Sequence, residues 1–125
     1  MARIKRFEDI QAWQKDRELV REIYLACTVG RLSKDFALRD QCCRAAVSSM
    51  SNIAEGFSRI SEKDFAHFLD IARGFVLEVQ SLLYVAVDVG YIEQAEFDRL
   101  YEFADETVSL ISGFTSYLRK RLHPV

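Results

Sequence analysis

The chain has 125 residues, half of them hydrophobic and 29% charged, with a formal net charge of −2. That length fits one domain, able to bury roughly two-thirds of the surface its unfolded chain exposes. The weak negative balance excludes a chain built as a whole to capture polyanions. One proline and five glycines leave room for long uninterrupted elements, and apolar periodicity defines four of them.

The chain opens on a basic group, Arg3, Lys5 and Arg6. A first helix follows over about residues 7–29, with Phe7, Ile10, Trp13, Val20, Ile23, Tyr24 and Cys27 on its apolar face and Gly30 as its stop. Residues 31–34 read as a connection, and Ser33 or Asp35 can cap the next element.

The second helix spans about 36–57. Leu38, Cys42, Ala45, Ser49, Ile53 and Gly56 form one stripe, and Cys43, Ala46, Val47, Met50, Ala54 and Phe57 an adjoining one. The first stripe is rich in small residues, which lets a neighbouring helix approach closely. The combined apolar surface is wide enough to require burial on more than one side.

Ser61 to Asp64 resembles a capping box with Asp in place of Glu. It opens a third helix over about 62–89, striped by Phe65, Phe68, Leu69, Ala72, Val76, Val79, Leu83 and Ala86 and ended by Gly90. The fourth, about 94–122, spaces Phe97, Tyr101, Ala104, Val108, Ile111, Phe114 or Thr115, Leu118 and Leu122 in coiled-coil fashion. Short connections between long helices predict an all-α, up-down-up-down antiparallel four-helix bundle forming a single domain over residues 1–125.

Charge is unevenly placed. Asp88, Glu93, Glu96, Asp98, Glu102, Asp105 and Glu106 form an acidic stretch relieved only by Arg99, and Arg119, Lys120 and Arg121 close the chain with a basic group. Cys27, Cys42 and Cys43 match no metal motif and sit among apolar helical positions, the pattern of reduced cysteines in a cytoplasmic protein. Glu8, Asp9 and Gln11 interrupt any signal-like run. The most apolar segment, 81–90, is too short to span a bilayer, so no membrane partner is expected.

No constellation spells out catalysis. Asp64 and His67 have ligand-like spacing, but a di-metal bundle needs inward carboxylates from all four helices. Ser48, Ser49 and Ser51 lack a histidine and a strand-to-helix elbow. The glycines are scattered singly, so no phosphate loop forms. The chain is therefore read as no enzyme, with no catalytic residue, metal or cofactor.

Two groups remain as candidate sites. Asn52, Glu55 and Gly56 on the second helix and Arg59 in the turn after it, with Gly74 and Glu78 on the third, form a polar network fixing the hairpin, and Glu55 and Arg59 have the favourable i,i+4 order for an ion pair. Arg3, Lys5, Arg6, Arg119, Lys120 and Arg121 gather at one end of the bundle. An oligomer would multiply them into a surface for phosphates.

The segments Phe7 to Gln14, Gln41 with Arg44 to Ser48, and Ser51 to Phe57 with Arg59 resemble the 23S rRNA-intervening sequence proteins. Phe65, Phe68, Leu69, Ile71, Ala72, Gly74 and Glu78 continue the likeness, and Gly90 to Ile92 closes it. One departure is Phe75, where that family usually places serine. The resemblance implies a non-enzymatic bundle. It is related to accessory proteins of diversity-generating retroelements, which form pentameric rings that bind nucleic acid and a reverse transcriptase. It therefore implies a homo-oligomer, a pentamer by preference, that serves as a scaffold for RNA or a ribonucleoprotein. The alternative is a protein-interaction module whose acidic fourth helix docks a basic protein without nucleic acid.

Overall fold

The computed structural model describes residues 4–122. Arg3, singled out in the sequence, lies outside the described residues. Four helices account for nearly all of the rest: α1, Gln11–Ala26; α2, Phe36–Phe57; α3, Glu62–Asp88; and α4, Gln94–Leu122. Each packs against its two neighbours in the cyclic order α1, α2, α3, α4, so they form the antiparallel bundle.

The first helix is shorter than its periodicity predicts. Phe7–Asp9 is a separate 3-10 turn, and Ile10 between it and α1 is extended. The cause is local: the Asp9 carboxylate accepts the backbone N–H of Lys5 at 3.1 Å and of Arg6 at 3.3 Å, closing the turn on itself. Ile10 then turns inward and is buried. At the other end α1 stops at Ala26. The Thr28 hydroxyl bonds back to the Leu25 carbonyl at 2.7 Å, the local competition that ends helices. Gly30, at φ 61°, closes the following turn rather than the helix itself.

The other boundaries have identifiable caps. Asp35 accepts the Leu38 N–H at 3.1 Å to start α2, and Ser61 accepts the Asp64 N–H at 3.2 Å to start α3. Gly90, at φ 80°, ends α3 in a Schellman motif: Tyr91 N–H reaches the Ala86 carbonyl at 2.8 Å and Gly90 N–H the Val87 carbonyl at 3.1 Å. Arg31 donates to the Gly90 carbonyl at 2.9 Å and the Tyr91 hydroxyl to Asp35 at 3.0 Å. Those two bonds join the α1–α2 and α3–α4 connections at one end of the bundle.

The core runs its length through Leu19, Ile23, Ile53, Leu69, Val76, Leu100 and Ile111, all fully buried. Each such side chain contributes about 1.5–3 kcal/mol relative to exposure. At the opposite end Phe65 meets Phe57 and Phe114 edge-on, at ring-centre distances of 6.1 and 5.3 Å.

Candidate functional site

The α2–α3 hairpin is built on a glycine. Gly56 is buried where the two helices meet, and a Cβ placed there would stand 2.7 Å from the Phe68 Cβ and 2.9 Å from the Phe65 ring. No side chain fits that gap, so α3 lies directly on the backbone of α2. Just beyond, Arg59 donates to Glu55 at 2.8 Å, and its guanidinium sits 4.6 Å from the Phe68 ring centre. This pair is solvent-exposed, so it contributes only a few tenths of a kcal/mol.

The six residues grouped from the sequence divide in space. Glu55, Gly56 and Arg59 come together. Asn52 instead donates to the Ser48 carbonyl of its own helix at 2.7 Å. Gly74 is exposed, with open space around its Cα, and Glu78 is half-exposed with no ion pair among the described residues. Spacing along one helix anticipates a shared face, whereas contact across two helices also needs the right height, which α3 provides only near Phe65 and Phe68.

The described cations of the two chain ends lie before α1 and in the last turn of α4, at the same end of the antiparallel bundle, and most of them are paired with carboxylates. Arg6 engages Glu8, Arg119 engages Asp70 across α3 and α4, and Arg121 meets Glu62 at 3.0 Å. Hydrogen bonding by Arg6 lowers the Glu8 carboxyl below its usual range. Lys5 and Lys120 are exposed and have no carboxylate partner among the described residues. On α4 the exposed carboxylates Asp98, Glu102 and Asp105 form no ion pair among the described residues, while Glu106 meets Lys15.

The most unusual group in the interior was missed by sequence reasoning. Asp16 of α1 is completely buried. Its Oδ1 accepts a hydrogen bond from the Ser49 hydroxyl of α2 at 2.8 Å, and its Oδ2 has no partner among the described residues. Desolvation pushes the carboxyl up to about 7, against a smaller lowering by Ser49. A signal was present: Asp16 lies three residues after Trp13 and three before Leu19, in the middle of the apolar face of α1.

The cysteines are free thiols. Cys27, just past the end of α1, stands against Cys42 and Cys43 of α2. Its bond to Cys42 and its burial push it strongly up, while the same bond lowers Cys42. Cys43, the most accessible of the three, is pushed up to about 12, chiefly by burial, and is not a thiolate at neutral pH. No cluster of three metal-ligating side chains forms among the described residues, and none of their helices is long and apolar enough to cross a membrane. A groove of about 380 Å³ between the start of α1 and the second half of α4 is lined mainly by Ile10, Leu110 and Phe114. Its acidic residue, Asp9, already serves the 3-10 turn.

These features define an all-α, antiparallel four-helix bundle that carries its polar groups as caps, surface pairs and one interior carboxyl. Within that class the chain belongs to the 23S rRNA-intervening sequence protein family, whose model matches residues 8–113. Its fold is similar to the 1.70 Å crystal structure of a protein of unknown function from the S23 ribosomal protein family of Bacteroides thetaiotaomicron. The two chains share 22% sequence identity and a TM-score of 0.76, over 83% of this chain and 97% of the other. No match was found among curated proteins.

Proposed function

We propose that the chain is a non-enzymatic, self-associating bundle that acts in the cytoplasm as a scaffold or accessory factor for RNA or a ribonucleoprotein, in a ring of five by preference. The observation that carries self-association is the apolar surface that the bundle leaves partly exposed along α2 and α3. Val47, Met50, Ala54 and Phe57 follow one flank of α2, and Ile71, Phe75 and Val85 one flank of α3. Val47 and Val85 keep 37% and 44% of their surface exposed. Rows of this kind on two helices mark interaction surfaces. The RNA half rests on family membership and on Lys5 and Lys120, cations at the basic end with no carboxylate partner among the described residues. An oligomer repeats them around its axis.

Light-scattering mass after size-exclusion chromatography tests the first half: a mass near five times 14.5 kDa supports the ring, and a monomer defeats it. A mobility-shift titration with structured RNA tests the second. Binding that weakens with salt and falls further on Lys5→Glu and Lys120→Glu supports it. Absence of salt-dependent binding removes RNA from the reading.

The exposed Asp98, Glu102 and Asp105 favour a second reading, a module that docks a basic protein through α4. Asp98 and Glu102 are one turn apart, and Asp105 continues the same face. Charge reversal at Glu102 and Asp105 that abolishes capture of a defined basic protein, while leaving RNA binding intact, would select it.

A further inference from the structure

We propose that Asp16 and Ser49 form a proton-operated latch between α1 and α2: the carboxyl is neutral when the latch is closed, and its ionisation loosens α1 from the bundle. The geometry carries the inference. A hydroxyl owns one hydrogen. Ser49 Oγ lies 2.8 Å from Asp16 Oδ1 and also 2.8 Å from the Ala46 carbonyl, so that hydrogen serves one acceptor at a time. With Asp16 protonated, the carboxyl O–H donates to Ser49 Oγ, the Ser49 O–H donates to Ala46, and the chain of bonds is complete. With Asp16 ionised, the serine hydrogen must turn to the carboxylate. One further oxygen then carries charge, Oδ2, which has no partner among the described residues. A buried unpaired charge is the costlier state.

No cation among the described residues offsets it. The buried residues of the other helices near this level are Ala45, Ala46 and Ile53 of α2, Ala72, Val76 and Val79 of α3, and Ala104, Thr107 and Ile111 of α4. None carries charge. Every charged side chain of α2, α3 and α4 among the described residues, including Arg44, Glu55, Glu78 and Arg73, is at least partly exposed, and Lys15 beside Asp16 in sequence is paired with Glu106 of α4. The other buried titratable groups, the thiols Cys27 and Cys42, lie about two to three turns away along their chains and add no positive charge.

The folded carboxyl holds its proton up to about 7, whereas the unfolded chain loses it near the ordinary value of 3.8. Between those values the native state binds one proton more than the unfolded state, so stability falls as pH rises and levels off above about 7. Trp13, one turn from Asp16 and the only tryptophan, reports on this seam.

The test is urea unfolding of the full chain from pH 5 to 8.5, comparing wild type with Asp16→Asn, alongside acrylamide quenching of Trp13 under native conditions. The ratio of unfolding constants, wild type over variant, is expected to rise up to about tenfold per pH unit below pH 7 and then flatten. Quenching should increase with pH in the wild type alone. A ratio that stays constant across the range means a merely structural aspartate and overturns the latch. A carbon-13 titration of the aspartate carboxyls in the wild type keeps the proposal falsifiable if the variant does not fold. One carboxyl titrating near neutrality, displaced upward by Ser49→Ala, supports it. Ordinary values for every aspartate overturn it.

Discussion

α2 meets its two neighbours in opposite ways. Toward α3 it offers Gly56, and the seam closes on backbone with two phenylalanines against it. Toward α1 it offers Ser49, seven residues earlier on the same stripe, and the seam closes on a carboxyl with one oxygen unsatisfied. The first seam is held by shape, which has no dependence on pH and little on salt. The second is held partly by a proton. One small-residue stripe therefore yields a fixed contact and an adjustable one, and the distinction lies in what the opposing helix presents.

The largest expected effect belongs to the adjustable seam. Asp16→Asn should be more stable than wild type by about 4 kcal/mol at pH 8, with the difference shrinking toward zero near pH 4 as the native aspartate regains its proton. Next comes the fixed seam. Gly56→Leu must push Phe65 and Phe68 aside, and overpacking of this severity should cost about 3 kcal/mol or more, well above the helix-propensity gain of about 1 kcal/mol. Chemical denaturation measures it, and a wild-type midpoint would show that the helices separate freely. A third substitution sharpens the role of shape at Gly56. Gly74 is also helical but faces open space, so Gly74→Ala should raise stability by about 0.5–1 kcal/mol, detectable as a higher Tm. Opposite signs at two glycines of one hairpin would confirm that contact, not residue type, decides. The smallest effect belongs to the exposed pair beside Gly56. Arg59→Ala should cost no more than about 0.5 kcal/mol, and less in high salt. A larger, salt-insensitive loss would move the hairpin's stability from the glycine contact to the arginine.

The helices and most of their ends were legible because period and caps are local. Leu38 and Ile53 mark the inward face of α2 by spacing alone, and Asp35, Ser61 and Gly90 announce boundaries through chemistry that acts within a few residues. The start of α1 escaped because Asp9 is used on the turn before it. The candidate site was legible in part: Glu55 and Arg59 pair four residues apart across the end of α2, while Glu78 lies on the other helix, outside the ion pair and Gly56 contact that its spacing implied.

Sequence by itself determined the antiparallel bundle and its family, since periodicity, connection length and the segment from Ser51 to Phe57 are all written along the chain. Only the tertiary structure decided that Gly56 is a contact point and Gly74 is not, that Arg119 and Arg121 reach across to Asp70 and Glu62, and that Asp16 is sealed from water. Those outcomes depend on which residues of separate helices arrive at the same height. Burial and charge pairing are properties of that arrival, and no single helix carries them.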